Sequence, residues 1–176
     1  MNRTKAAMLI SLLILAGAKN GLADPPASQP ADASGLVGKP APDFKLAGLD
    51  GKTHTLSELK GSAVVLDFWA TWCIPCHQEL PHLDAMYQQQ SPNGLKVYAI
   101  DTNDDTTKAG KYISDNHLTL PVLLDPDTTA ATAYVVDEQP ETVIVGKDGV
   151  IQKVFIGFTP DTEQKLEAAV AAAMGK

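Results

Sequence analysis

The sequence predicts an α/β domain: a central mixed β-sheet flanked by helices, with a β-hairpin extension at the N-terminal end. Three observations carry this. Through the middle of the chain, short apolar runs rich in β-branched residues alternate with helix-like segments, the pattern of a parallel βαβ element. Late in the chain, Thr142–Val145 and Val150–Ile156 bracket Gly146-Lys147-Asp148-Gly149, a hairpin signal that adds antiparallel strands. Early on, Phe44–Leu46 and Lys52–Thr55 face each other across Leu49-Asp50-Gly51, a second hairpin.

The segments follow in order. Arg3 and Lys5 precede an apolar run from Ala6 to Ala18, and Gly21 and Ala23 are small residues placed for cleavage after Ala23. Residues 1–23 therefore have the layout of a secretory signal peptide. The apolar run is shorter than the ~20 residues that span a bilayer. The alternative is an uncleaved anchor that extends into residues 19–23. Residues 24–38, DPPASQPADASGLVG, offer little to bury and read as a linker. One domain over residues 39–176 follows, long enough for a core of its own.

Within that domain, Leu56–Lys60 is expected as a short helix stopped by Gly61. AVVLDFWA (63–70) reads as a buried strand interrupted only by Asp67. Leu80, Leu83 and Tyr87 recur at helical spacing, so 76–90 reads as an amphipathic helix, with Pro81 expected to kink it. Leu95–Asp101 is the next strand. Thr106–Asn116 has weak helical spacing, Leu120–Leu124 is a short strand opening on Pro121, and Thr128–Tyr134 is a short Ala-rich helix. Pro160 opens a last helix to about Met174, with Leu166 and Val170 on one face.

Charge excludes one class of function. The chain carries 14 basic and 21 acidic residues. Residues 1–23 hold Arg3, Lys5 and Lys19 and no acid, so cleavage would leave 11 basic against 21 acidic residues, net −10. Arg3 is the only arginine. Nucleic-acid binding needs Lys and Arg gathered on one face, and none are gathered here. The acidic balance reads as solubility.

Both cysteines lie in Trp72-Cys73-Ile74-Pro75-Cys76-His77. A bridge between them closes too small a loop to restrain the unfolded chain, so its use is chemical. Cys73 is expected where a strand ends and a helix begins. Free N–H groups and the positive end of the helix dipole favour a thiolate there. Cys73 is thus the attacking sulfur, and Cys76, one turn into the helix, the resolving one. Ile74 has no charge and Pro75 no N–H to hold the thiolate, which tilts the couple toward reduction. Asp67 and Glu79 could each take and return the Cys76 proton. The plainer alternatives are a solvent-facing Asp67 and a Glu79 that only complements the helix dipole.

These residues resemble the thioredoxin superfamily, in particular its exported TlpA/ResA-like thiol-disulfide oxidoreductases. The likeness spans about residues 39–176. Its carriers are Gly-Lys-Pro-Ala-Pro-Asp-Phe (38–44), Leu-Ser-Glu-Leu-Lys-Gly (56–61), Val-Leu-Asp-Phe-Trp-Ala-Thr-Trp-Cys-Ile-Pro-Cys (65–76) and Glu-Leu-Pro (79–81). The resemblance implies a thioredoxin-like fold. It implies that Pro140 is cis and faces the cysteines, and that the Gln139 backbone pairs with bound substrate as an added strand. A trans turn proline is the plainer alternative. It further implies disulfide-containing protein substrates, with apocytochrome c a candidate, and a membrane electron donor of the thiol-reducing kind. No cofactor or metal is called for. Trp72, Ile74 and Pro75 join Gln139 as substrate-facing residues, with Trp72 covering one side of the disulfide and Trp69 packing inside. Two departures stand out. Glu141 replaces the threonine common after that proline, which would place a negative charge near the docking surface. Asp67 and Glu79 occur together, which leaves the proton carrier open and allows joint titration.

Cys73, Cys76 and His77 also match the c-type haem attachment motif. His54, His82, His117 or a methionine would have to supply the second axial ligand. A strand-to-helix junction is a poor setting for a small helical cytochrome. Zinc lacks its ligand spacing, and a copper carrier of the family's neighbourhood would use Cys-x-x-x-Cys. A peroxiredoxin shares Pro-Asp-Phe but needs a Pro-x-x-x-Thr-x-x-Cys setting, which Asp67–Cys73 lacks. A non-enzymatic binding module requires an unreactive Cys73.

Overall fold

The computed structural model describes residues 33–102 and 106–175. The signal segment and residues 24–32 of the linker lie outside the described residues. No helix among the described residues is long and apolar enough to cross a membrane.

The strands are β1 (Lys45–Gly48), β2 (Thr53–Thr55), β3 (Val64–Trp69), β4 (Lys96–Thr102), β5 (Val122–Asp125), β6 (Glu141–Val145) and β7 (Ile151–Ile156). The helices are α1 (Cys76–Gln90), α2 (Thr106–Asp115), α3 (Thr129–Ala133) and α4 (Pro160–Met174), with a 3-10 turn at Leu56–Leu59. The seven strands form one sheet in the order β2-β1-β5-β4-β3-β6-β7. β3, β4 and β5 run parallel, joined through α1 and α2. β6 lies antiparallel to β3, β7 antiparallel to β6, and the β1/β2 hairpin caps the β5 side. This is the predicted mixed sheet with its N-terminal hairpin.

Alternation along β3 divides the core. Val65 and Trp69 join Leu80 and Leu83 of α1, Ala109 of α2 and Leu166 and Val170 of α4 on one face. Leu66 and Phe68 join Phe44, Leu46 and Leu56 of the N-terminal segment and Ala130 and Tyr134 on the other. All of β3 is buried, as a central strand covered on both faces must be.

Local chemistry sets several boundaries. Gly61, at φ +90°, ends the 3-10 turn in a backbone conformation that favours glycine. Thr159 caps α4, its hydroxyl accepting from the Thr162 N–H, and Pro160 fills the first helical position. α1 runs unbroken through Pro81. Asp84 ties that helix to the start of β5: one carboxylate oxygen accepts from the Thr119 N–H, the Thr119 hydroxyl and the Leu120 N–H at 2.7–2.9 Å. The described chain opens in a 3-10 turn at Ala33–Leu36, and Leu36 packs on the second core cluster.

Candidate active site

β3 ends at Trp69, and the chain turns through Thr71–Pro75 before α1 begins at Cys76. Cys73 and Cys76 are joined as a disulfide with Cα atoms 5.3 Å apart. The Cys76 N–H donates to Cys73 Sγ at 3.2 Å. A helix-start N–H therefore points at the sulfur that would carry negative charge, the local condition for a nucleophilic thiolate. Cys76 is the first residue of the helix, not one turn inside it. Pro75, at φ −66° and ψ −27°, occupies the cap position, and its carbonyl accepts from the Gln78 and Glu79 N–H groups. Proline suits a helix start, where its missing N–H leaves no bond unmade.

Access to the sulfurs is asymmetric. Cys73 is 3% exposed and Cys76 0%, whereas the flanking Trp72 and Ile74 are 65% and 67% exposed. The disulfide is recessed between two apolar shoulders, and what little exposure the pair retains belongs to Cys73.

Two acids are fully enclosed on the α1 side of the sheet. Asp67, in the middle of β3, is 0% exposed, so the solvent-facing alternative is overturned. Neither of its carboxylate oxygens has a hydrogen-bond partner among the described residues. Burial, and secondarily the charge of Glu79, push its pKa well above the usual carboxylate range. Glu79 is equally enclosed. Burial raises its pKa, a hydrogen bond from Thr142 holds it down, and the balance lies at about 7. The Thr142 hydroxyl donates to Glu79 Oε1 at 2.5 Å. Thr142 also sits in register with Asp67 across β3 and β6, so three buried polar side chains meet at the base of α1.

The Gln139–Pro140 peptide is cis. Pro140 immediately precedes β6, and its carbonyl accepts from the Gly157 N–H. The Gln139 side chain donates to the Thr102 hydroxyl. Trp72 and Gln139 line one open groove of about 490 Å³ with Thr102, Ala131, Val135 and Val136. Val135, at φ +58°, is a β-branched residue in the left-handed region. Glu141 departs from expectation. It is 1% exposed, and it pairs with Phe68 on the sheet face opposite to Asp67 and Thr142. Strand alternation turns it inward, so it places no charge on the docking surface.

The histidines are engaged elsewhere. His77 Nε2 lies 2.9 Å from the Thr71 carbonyl, with the ring stacked on Tyr112 at 4.8 Å. His54 approaches Asp50, and His82 lies 2.7 Å from Glu163. His117 is in a left-handed turn. Trp69 is fully buried and packs on Tyr112. Among the described residues, no group of three or more His, Cys, Asp or Glu side chains could hold a metal ion.

Sequence reasoning missed Thr142. It sits two residues after Pro140 in an apolar strand, and only the register of β6 against β3 reveals that it meets both acids.

A Cys-x-x-Cys disulfide at the head of a helix, on this sheet and in a chain with a cis-proline at the start of β6, defines a thioredoxin-like redox protein. The chain belongs to the AhpC/TSA family, whose model matches residues 37–154, and within it resembles thiol-disulfide oxidoreductases. Thiol-disulfide oxidoreductase ResA of Geobacillus thermodenitrificans is 33% identical over 134 residues, covering 75% of this chain and 77% of that one. A Chlorobium tepidum protein described provisionally as thiol:disulfide interchange protein DsbE superposes with a TM-score of 0.75 at 33% identity, over 79% of this chain and 98% of that one. A secreted Mycobacterium tuberculosis disulfide oxidoreductase homologous to E. coli DsbE gives 0.64 at 26% identity, over 73% and 95%. Leu66 and Ala70 stand where the peroxidatic motif would need Pro and Thr, so the family match does not carry peroxidase chemistry to Cys73.

Proposed function

We propose that this thiol-disulfide oxidoreductase works outside the cytoplasm as a reductant of protein disulfides. The observation that carries the reading is the helix-start N–H directed at Cys73 Sγ, with buried acids beneath it and neither a charge nor a proline N–H supplied between the cysteines. In the reducing direction the Cys73 thiolate attacks a substrate disulfide, one substrate sulfur leaves as thiolate, and a mixed disulfide remains. The substrate backbone docks along Gln139-Pro140, and its side chains meet Trp72, Ile74 and Pro75. Cys76 gives up its proton to an enclosed acid and attacks Cys73, releasing the reduced substrate and restoring the intramolecular disulfide.

The signal-like residues 1–23 support export, cleaved or retained as an anchor. An oxidising compartment has no adequate thiol buffer, so recharging falls to a membrane electron donor that delivers reducing equivalents as a dithiol. Apocytochrome c is the favoured substrate, since its Cys-x-x-Cys-His must be reduced before haem attachment.

Cys76→Ser tests the exchange mechanism. In cells the variant should accumulate mixed disulfides through Cys73 that dithiothreitol releases; no adducts would sink the mechanism. Direction is tested by the potential of the Cys73–Cys76 couple, read by Trp72 fluorescence in glutathione or dithiothreitol buffers. A value of roughly −230 to −270 mV fits a reductant, whereas one near roughly −120 mV makes the chain an oxidant or isomerase.

A further inference from the structure

Thr142 stands between the two buried acids. On β6 it lies directly across from Asp67 of β3, and its hydroxyl donates to Glu79 Oε1. A hydroxyl has one proton to donate, so it can serve one of the two carboxyls, and it serves Glu79. The cross-strand neighbour of Asp67 on its other side is Ala99 of β4, which offers no donor. The elements around the cluster add little charge. β7 presents Phe155 opposite Thr142, α1 presents Leu80, and α4 presents Leu166 and Val170. Asp101 of β4 pairs with Trp69, two residues along the strand, and the His82–Glu163 pair of α1 and α4 is partly exposed.

Resting on the dithiol reading above, we propose that Thr142 is a positioning residue that assigns the two acids their parts: by donating to Glu79 it makes Glu79 the ionised base that takes the Cys76 proton, and it leaves Asp67 as the protonated member of the pair. Donation to a carboxylate favours its charged form, while an enclosed carboxyl without a donor favours the neutral one. Two adjacent buried carboxylates cannot both be charged cheaply, so one proton stays between them. Burial pushes both carboxyls up, and only for Glu79 does the Thr142 hydrogen bond pull back, to about 7.

The step balances. The Cys76 thiol proton passes to the Glu79 carboxylate. The Cys76 thiolate attacks Cys73 Sγ, the Cys73–substrate bond breaks, and the electron pair leaves on the substrate sulfur. That sulfur is reprotonated by Glu79 or by solvent. One disulfide forms as another is reduced.

Thr142→Val keeps the shape and removes the donor, and Thr142→Ser restores it. Two readouts separate this idea from the reading it rests on. The carboxyl infrared band of the oxidised protein, titrated from pH 4 to 9, needs no activity. The release of glutathione from a mixed disulfide at Cys73 reports the chemistry. Thr142→Val should raise the Glu79 midpoint by about one pH unit, a tenfold change in its ionisation equilibrium. Release at pH 7 should then fall about fivefold, with the deficit closing by pH 9, and Thr142→Ser should return both toward wild type. The titrating band should survive Asp67→Asn and vanish in Glu79→Gln. Superimposable titrations of Thr142→Val and wild type would overturn the proposal, as would a band lost in Asp67→Asn but kept in Glu79→Gln. If Thr142→Val does not fold, the band assignment in the two acid variants decides. Wild type that never exchanges with glutathione would defeat the dithiol reading, while the infrared titration still judges Thr142.

Discussion

Asp67 is an acid with no partner in the middle of a central strand, and that has a consequence for stability. Its folded-state pKa lies well above the unfolded value of 3.8. Above about pH 4 the native state therefore binds a proton that the unfolded chain has lost, and stability declines as pH rises. Glu79 acts in the same direction between 4.5 and about 7. Over that window its contribution amounts to roughly 3 kcal/mol, lost progressively on going up in pH. Asp67→Asn removes the first penalty. In urea unfolding at pH 8 this variant should be more stable than wild type by about 1–3 kcal/mol, with the gap closing toward pH 4. A gap independent of pH would mean that Asp67 is solvated in the native state. Asp67 was legible in the sequence because it is the lone polar residue of an apolar run. Thr142 was not, because a threonine in a strand is unremarkable until its neighbour across the sheet is known.

The start of α1 positions the chemistry, and Pro75 sets its balance. Pro75 withholds the N–H that an ordinary residue would offer close to Cys73 Sγ, leaving the Cys76 N–H as the donor there. Pro75→Ala should add that donor, stabilise the thiolate and make the couple less reducing. A tenfold shift in the exchange equilibrium corresponds to about 30 mV, measurable against glutathione. A potential unchanged or more negative would show that residue 75 does not tune the thiolate. Further along the same helix, Asp84 satisfies three donors of the segment leading to β5. Asp84→Ala strands them, and chemical denaturation should show a loss of about 3 kcal/mol. The limits of α1 and α4 were readable from apolar spacing and from prolines and caps. The range 76–90 read from the sequence is the range of α1, and with Pro75 at the cap it puts Cys76 at the helix start, not the one turn inside expected of the resolving sulfur. Apart from Gln88 one turn on, nothing local announces Asp84: the donors of the β5 segment lie 35 and 36 residues away. The inward turn of Glu141 likewise depended on which face of the sheet β6 presents.

At the scale of the whole molecule, potential and stability are one quantity seen twice. The disulfide and dithiol forms each fold, and each has an unfolded counterpart. Closing that cycle makes the difference in their unfolding free energies equal to the difference between the folded and unfolded potentials, with 30 mV equivalent to about 1.4 kcal/mol. The architecture sets the sign. Both sulfurs belong to the main core cluster, where a neutral disulfide packs without penalty. The buried acids of the same core are Glu79, which ionises near neutrality, and Asp67, which keeps its proton beside it, in a chain of net charge −7. Reduction asks this environment to hold a further negative charge, and the Cys76 N–H that donates to Cys73 Sγ offsets only part of that. The oxidised form should therefore be the more stable, which is the thermodynamic signature of a reductant. Calorimetry of the two forms, with the reduced sample kept under dithiothreitol, should show the disulfide form melting higher by roughly 3–4 °C for each kcal/mol of difference. The gap should narrow at pH 5, where Glu79 is protonated and a thiolate is less disfavoured. A reduced form that melts at or above the oxidised one would reverse the sign of the cycle and make the chain a donor of disulfides.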